Sequence, residues 1–155
     1  MSNKLSHVDD AGHAYMVDVS GKSITGRVAV ADGYVDMTPS TMSLILNDQV
    51  AKGDVLAVCR VAGIMAAKKC SELIPLCHGL NLSSVSIEFE PIDAEALARL
   101  RITATCKLNA ETGVEMEALT AINVALLTIY DMCKAVDNKM IISNIKLVKK
   151  TKQDI

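Results

Sequence analysis

Aromatic residues are scarce in this chain, and their scarcity limits how its core can be built. Tryptophan is absent, phenylalanine occurs once and tyrosine three times, although 50% of the 155 residues are hydrophobic. The core must therefore consist mainly of Val, Ile, Leu, Met and Ala side chains. A chain of this length is typical of one domain, which we place at residues 1–155.

Long apolar runs are missing as well, and neither sign of charge dominates. No segment approaches the ~18 uninterrupted apolar residues of a membrane span, and the polar start MSNKLSHVDD lacks the hydrophobic region of a signal peptide. We therefore expect a cytoplasmic protein that does not bind membranes. The formal net charge of −2 argues against a general nucleic-acid-binding surface.

Cysteine is present, but not in the spacing that disulfide frameworks or zinc sites need. Five cysteines occur, no two of them form a CxxC pair, and the count is odd. We expect small buried thiols and no metal site. P-loop, GxGxxG, HExxH and GxSxG patterns are also absent, which argues against nucleotide-triphosphate motors, Rossmann dehydrogenases, and the common hydrolases and metalloproteases.

Hydrophobic periodicity predicts strands and helices along most of the chain. The predicted strands cover residues 14–20, 24–37, 82–90, 98–108 and 140–149. The predicted helices cover residues 38–48, 54–73 and about 112–136. Turn residues are expected at Asp32 and Gly33 in the second strand segment and from Pro91 to Glu95.

The order of these elements predicts the fold. From residue 24 onward it is strand, helical segment, strand, strand, helix and strand, with residues 82–90 and 98–108 as an antiparallel pair. This order is typical of an α+β ferredoxin-like sandwich, in which an antiparallel sheet packs on helices. Residues 14–20 are expected to add an extra N-terminal strand.

The last helix is apolar on almost every side, apart from one polar strip. Such a helix is buried on more than one side, and we expect the other helix or a second subunit to cover what the sheet leaves open. At ~100° per residue the polar side chains fall within roughly 140° of the helix circumference. The residues of this polar strip are Glu117, Thr120, Asn123, Thr128, Asp131 and Lys134.

Two interpretations of the polar strip remain open on these patterns alone. It is either an exposed face, in which an Asp131–Lys134 ion pair contributes about 0.2–0.5 kcal/mol, or the wall of a polar cleft, because charged groups are costly to bury unpaired. Lys52, just before the second helix, is either a solvated lysine or an anion ligand beside free helix N–H groups. His78, in an irregular loop, is either an ordinary loop histidine or a proton donor, acceptor or hydrogen-bonding group.

Four segments carry a resemblance to a known family. They are YMVDVS at 15–20, KGDVLAVCRVAGIMAAKK at 52–69, LIPLCHGL at 73–80 and TGVEMEALTAINVALLTIYDMCKAV at 112–136. With these motifs the chain resembles, over nearly its whole length, the molybdenum cofactor biosynthesis protein C family, the cyclic pyranopterin monophosphate synthases.

The resemblance implies a lyase that converts 3′,8-cyclo-7,8-dihydroguanosine 5′-triphosphate to cyclic pyranopterin monophosphate and releases pyrophosphate. This is an early step of molybdenum cofactor (molybdopterin) biosynthesis. The resemblance also implies a ferredoxin-like fold, a hexamer made of three dimers, and active sites at subunit interfaces. No cofactor is required by the sequence, although Mg²⁺ accompanying the substrate phosphates is compatible with it.

The matching motifs also imply the site, residue by residue. They assign catalytic roles to Lys52, His78, Asp131 and Lys134, and substrate-binding roles to Leu76, Cys77, His78, Met116 and Glu117. Glu115 is a weaker assignment to substrate binding, because Thr112 and Glu115 also have the spacing of a capping box. We add Arg27 to Lys52 and Lys134 as a cation that holds phosphates and stabilises the departing pyrophosphate.

Two positions depart from the family pattern. Gly79 follows the histidine where the family usually has proline, so we expect a more flexible loop with activity retained. Lys150 matches the first lysine of the family's Lys-Ser-Gly-Gly-Lys tail, but Thr151–Ile155 lacks the glycines. We therefore do not assign phosphate contacts to that tail.

Two other functions compete with the synthase. A non-catalytic ferredoxin-like module that senses an anionic metabolite would use the same lysines but would not need Asp131. An RNA-binding module would stack bases on aromatic residues of the sheet. The strands offer chiefly Tyr34 and Phe89 for that purpose and the net charge is negative, which argues against RNA as a partner.

Overall fold

Eight elements make up the part of the chain that the computed structural model describes, residues 7–92 and 96–155. The strands are β1 (Thr25–Met37), β2 (Ser84–Ile92), β3 (Ala98–Ala110) and β4 (Ile141–Gln153). The helices are α1 (Pro39–Leu46), α2 (Val55–Lys68), α3 (Cys70–Leu73) and α4 (Glu115–Cys133).

The strands form one antiparallel sheet in the order β2-β3-β1-β4. Helix α4 packs across β1, β3 and β4, and α2 packs against α4 and β2. The core between the sheet and these helices is aliphatic, with side chains such as Leu100, Ile122 and Leu126 fully buried, and four of the five cysteines are buried as free thiols. The predicted α+β ferredoxin-like sandwich is thereby confirmed.

Residues 14–20 do not form the N-terminal strand that their alternating pattern predicts. Among the described residues before β1, strand pairing is limited to an isolated antiparallel bridge between Val8 and Ala14. Val17 and Val19 line a cavity instead, and the Val17 carbonyl accepts a hydrogen bond from His78. The alternating pattern of residues 14–20 therefore belongs to a cavity wall and not to a strand of the sheet.

The turn predicted at Asp32 and Gly33 is also wrong, because β1 continues through both residues. A Cβ added at Gly33 would lie 2.7 Å from Leu126 Cδ1 and 2.9 Å from Ile122 Cγ2. Glycine is needed here because α4 approaches the sheet so closely. The neighbouring Asp32 is buried and paired with Arg101 at 2.9 Å.

Two predicted helix boundaries differ from the structure. The second predicted helix is interrupted at Lys69, which separates α2 from α3. The N-cap of α4 is Val114, which makes no side-chain capping bond, so the predicted capping box of Thr112 and Glu115 is wrong. Glu115 instead forms an ion pair with Lys150 of β4. Glu115 therefore pairs with a residue that is distant in sequence and does not cap its own helix.

Helix α4 is long and apolar. By length and composition it could cross a membrane, but most of it is buried inside the fold, and the core helix of a soluble protein passes the same test.

The turn predicted from Pro91 to Glu95 is wrong at its first two residues. Pro91 and Ile92, which were predicted as turn residues, belong to β2. The rest of that predicted turn, residues 93–95, lies outside the described residues.

Candidate active site

The polar strip of α4 divides into two environments. Near the start of the helix Glu117 is 3% exposed, and Thr120 is covered by Cys70 of α3, whose sulfur is 3.4 Å from its hydroxyl. Near the end of the helix the side chains of Asp131 and Lys134 are exposed. At 1.5 Å per residue, about 21 Å of helix separates Glu117 from Asp131. The strip therefore supplies two separate groups of side chains.

At the end of α4, Asp131 lies between two lysines. Its carboxylate oxygens are 2.7 Å from Lys134 Nζ and 3.0 Å from Lys52 Nζ, and Lys52 also donates to the Asp131 carbonyl oxygen at 2.7 Å. Hydrogen bonds from Lys134 and Lys52 lower the pKa of Asp131, and Asp131 in turn raises the pKa of Lys134. This lysine–aspartate cluster therefore carries one net positive charge at neutral pH.

The local sequence brings Lys52 to α4 and not to the start of α2. Gly53 adopts a positive φ of 97°, a conformation that glycine takes readily, and Asp54 then caps α2 by accepting a hydrogen bond from Ala57 N. The turn leaves the Lys52 ammonium group at the last turn of α4, where a positive charge is favourable to the helix dipole. Lys52 therefore pairs with Asp131, and the cap of α2 is Asp54.

A cavity of about 440 Å³ lies at the other end of α4. Residues from the N-terminal segment 7–22, from the loop 76–80 after α3 and from around the start of α4 line it. We call it the His78 cavity. It brings together six of the seven residues with predicted substrate-binding roles, namely Leu76, Cys77, His78, Glu115, Met116 and Glu117.

Seven further residues that line this cavity were not predicted to bind substrate. They are His7, Val17, Val19, Lys22, Leu80, Thr112 and Gly113. For Val17 and Val19 the motif at residues 15–20 and its period of two were the available signals, but both fit a strand equally well. A cavity wall cannot be told from a sheet partner until the opposite surface is known.

Glu117 brings a buried carboxyl group to the His78 cavity. Burial raises its pKa, and its Oε2 atom is buried with no hydrogen-bond partner among the described residues. A polar atom left unpaired costs free energy, so a bound group that donates to it would be stabilised. The nearby thiols are poor nucleophiles, because burial raises the pKa of Cys70 to about 11 and also raises the pKa of Cys77.

Positive charges border the cavity on β1 and β4. Burial opposes ionisation of Glu115, but hydrogen bonds from Lys150 and its own backbone and the charges of Lys150 and Arg27 outweigh that effect and lower its pKa. Arg27 donates through Nη2 to the Glu111 carbonyl at 3.1 Å, while its Nε is buried and unpartnered among the described residues. Arg27, the seventh predicted substrate-binding residue, thus lies beside the cavity near Lys150.

One chain does not bring all the predicted catalytic residues together. His78 lies in the wall of the cavity, whereas Asp131 and its two lysines lie about 21 Å along α4 from Glu117 in that same cavity. Groups that exchange protons with one substrate must come within hydrogen-bond reach, about 2.6–3.2 Å. A single subunit therefore cannot place both groups on the same reacting atoms.

Known proteins are similar to this chain over nearly its whole length. The model of the MoaC family matches residues 16–153. The cyclic pyranopterin monophosphate synthase of Chloroflexus aurantiacus (strain ATCC 29366 / DSM 635 / J-10-fl) is 59% identical over 148 residues, which cover 96% of this chain and 90% of that protein. The protein of the same name from Clostridium perfringens (strain SM101 / Type A) is 57% identical over 150 residues, covering 97% and 94% of the two chains.

Proposed function

The chain belongs to the MoaC family, and we infer that it is a cyclic pyranopterin monophosphate synthase. As such it is a lyase that converts 3′,8-cyclo-7,8-dihydroguanosine 5′-triphosphate to cyclic pyranopterin monophosphate with release of pyrophosphate. This reaction is an early step of molybdenum cofactor biosynthesis. The observation that best supports a location for this function is the His78 cavity, which gathers six predicted substrate-binding residues.

We propose that each active site combines the His78 cavity of one subunit with the lysine–aspartate cluster of another. The separation of the two groups along α4 supports this, because one chain cannot bring both within reach of one substrate. The outer face of α2 supports it as well, since Val58, Val61 and Met65 are exposed there at helical spacing, as expected of a subunit contact. We propose a hexamer of three dimers as the assembly.

In this arrangement the cluster supplies positive charge and proton transfer, and Arg27 adds positive charge from beside the cavity. Lys52, Lys134 and Arg27 hold the phosphates and stabilise the charge on the departing pyrophosphate. Lys150 adds positive charge beside Arg27. Asp131, which its lysines keep ionised, accepts a proton during rearrangement of the purine-derived ring, and Lys134, which Asp131 keeps protonated, donates one.

Both departures from the family pattern are compatible with this proposal. A Cβ at position 79 would meet Ser71 Oγ at 3.7 Å, an ordinary contact, so the loop does not need Gly79 for space. Lys150 lies within β4 and is held by Glu115. We therefore propose that Lys150 approaches the phosphates from a strand, without the glycine-rich tail.

We propose that any Mg²⁺ in the reaction arrives with the substrate triphosphate. Within residues 7–92 and 96–155, no group of three or more His, Cys, Asp and Glu side chains is placed to hold a metal ion. We also propose a cytoplasmic location, which suits an enzyme that acts on a nucleotide-derived metabolite.

Incubation of the purified protein with the cyclic GTP intermediate tests the activity directly. Release of pyrophosphate together with the pterin product is the expected result. Tight binding of the intermediate without pyrophosphate release would contradict the synthase and favour the anion-sensing module.

Co-expression of two inactive variants tests the shared site. Asp131→Asn disables the cluster and His78→Gln disables the cavity, so a mixed pair of subunits keeps one site in which both parts are intact. Random pairing across a two-fold interface should restore about one quarter of the wild-type activity. Light scattering checks that the mixture has the same assembly as the wild type. Activity no higher than that of the separate variants would contradict a site between subunits.

A further inference from the structure

His78 presents one ring nitrogen to the backbone. Its Nε2 atom is 2.8 Å from the Val17 carbonyl oxygen. A carbonyl oxygen only accepts hydrogen bonds, so Nε2 carries a hydrogen in both the neutral and the charged form of the ring. The proton that distinguishes the two forms therefore sits on Nδ1.

Two short-range hydrogen bonds form turns in the residues that follow Val17. Asp18 Oδ1 accepts a hydrogen bond from Ser20 N at 2.9 Å, and Lys22 N donates to the Val19 carbonyl at 2.9 Å. Val17 itself lines the His78 cavity, and its carbonyl oxygen is bonded to His78 Nε2.

Charged groups approach the imidazole from both the N-terminal segment and α4. Asp18 and Glu117 interact electrostatically with His78. The other titratable residues that line the same cavity are His7, Lys22, Cys77 and Glu115. No described residue forms a hydrogen bond with His78 Nδ1, whereas Nε2 is occupied by Val17. Nδ1 is therefore the ring nitrogen that is open to a bound ligand.

We propose that Val17 is a positioning residue and that His78 exchanges protons with the substrate through Nδ1 alone. This rests on the synthase function proposed above. Neutral His78 accepts a substrate proton on Nδ1 and becomes an imidazolium. The other hydrogen stays on Nε2, where it is hydrogen-bonded to the Val17 carbonyl oxygen. Transfer of the Nδ1 proton to a leaving group or later intermediate restores the neutral ring, so proton and charge balance over one turnover.

Nitrogen NMR of the full chain, labelled with ¹⁵N-histidine and free of substrate, observes the two ring nitrogens separately. His78→Gln identifies the His78 signals against those of His7 and His13. We expect Nε2 to stay protonated throughout a pH titration while the Nδ1 signal moves. A neutral form with its hydrogen on Nδ1 would overturn the proposal. Because no substrate is present, this result is distinguishable from a failure of the synthase activity.

Two amide variants test the same point in the working enzyme. The amide nitrogen of His78→Gln can occupy the Nε2 position, whereas the amide of His78→Asn reaches only the Nδ1 position. We expect His78→Gln to keep the N-terminal segment resistant to proteolysis but to lose about 100-fold or more in turnover. His78→Asn should lose both the resistance of the segment to proteolysis and the turnover.

The control for this pair is His13→Gln, since His13 is an exposed histidine that pairs with Asp9 outside the cavity. It should change neither turnover nor proteolysis. Turnover close to wild type in His78→Gln would show that Nδ1 is not required. A wild-type-like, protected segment in His78→Asn would show that the bond between Nε2 and the Val17 carbonyl is not what joins His78 to the N-terminal segment, so Val17 could not position the ring through it. Either result contradicts the proposal.

Discussion

The two ends of α4 carry the same kind of group in opposite surroundings. Glu117 and Asp131 project within roughly 40° of each other around the helix, so helical geometry treats them alike. Burial raises the pKa of Glu117, whereas hydrogen bonds from Lys134 and Lys52 lower the pKa of Asp131. One helix thus holds one carboxyl group towards the neutral form and another towards the ionised form, a difference that suits separate acid and base roles.

The contrast comes from what covers each end of the helix. Helices α2 and α4 pack together, and α3 extends that cover over the start of α4, where Cys70 contacts Thr120. At the far end, the turn before α2 contributes Lys52 and leaves Asp131 exposed. The covered end can enclose a ligand within one subunit, while the exposed end is free to meet a second subunit.

Substitutions at the exposed end of α4 should have the largest effect, which is a loss of turnover. Asp131→Asn and Lys134→Ala should each lower turnover of the cyclic GTP intermediate by about 100-fold or more, because each removes a proton-transfer group. Both variants should unfold at nearly the wild-type temperature, since exposed ion pairs contribute little to stability. Pyrophosphate release and thermal melts measure the two quantities.

Glu90→Gln is the matched control for these variants. Glu90 also forms an exposed ion pair, with Arg101 at 3.2 Å, but it lies on β2 and belongs to neither site group. Its turnover should equal that of the wild type. Near wild-type turnover in both Asp131→Asn and Lys134→Ala would remove the cluster from the catalytic machinery.

Changing the covered end should have the next largest effect, on stability as a function of pH. The pKa of Glu117 in the folded protein is raised above its ordinary value of 4.5, so the folded state binds this proton more tightly than the unfolded chain. The stability linked to that proton is fully present below the unfolded pKa and is lost as pH rises through the folded pKa. Glu117→Gln, which is neutral and similar in size, should not show this loss.

Urea denaturation of the wild type and Glu117→Gln between about pH 4 and pH 9 measures the difference. The stability of the variant relative to the wild type should increase with pH. Glu88→Gln, which changes an exposed glutamate of β2, should show no such trend. A relative stability of Glu117→Gln that is constant or decreases with pH would contradict a burial-raised pKa.

Hydrophobic periodicity predicted the fold well but not the reason for every pattern. The order of strands and helices follows from it, and the sheet and helices lie where that order places them. Val17 and Val19 were misread because a strand and a cavity wall share a period of two. Gly33 was misread as a turn because its reason, the approach of Leu126 from α4, is not local in sequence.

The sequence motifs indicated part of the cavity lining, but not the surroundings of each side chain. The family motifs indicated residues that do gather in the His78 cavity. Helix geometry gave the angle of the polar strip but not its cover, because burial depends on how far α3 reaches along α4. Glu115 shows the same limit, since its capping spacing is a local signal and its actual partner, Lys150, comes from β4.

The smallest expected effect is the pH-dependent stability of the exposed end, and its sign should be opposite to that of the covered end. Lysine hydrogen bonds hold the pKa of Asp131 below its ordinary value of 3.8, so its stabilising contribution is present above that pH and is lost as pH falls through the folded pKa. Since the Asp131 side chain is 59% exposed, solvent and salt should screen it strongly. In urea denaturation at low salt, the stability lost in Asp131→Asn should shrink from neutral pH towards about pH 3 and nearly vanish in about 1 M salt. A loss that grows on acidification would place Asp131 in surroundings like those of Glu117, and the two ends of α4 would no longer differ.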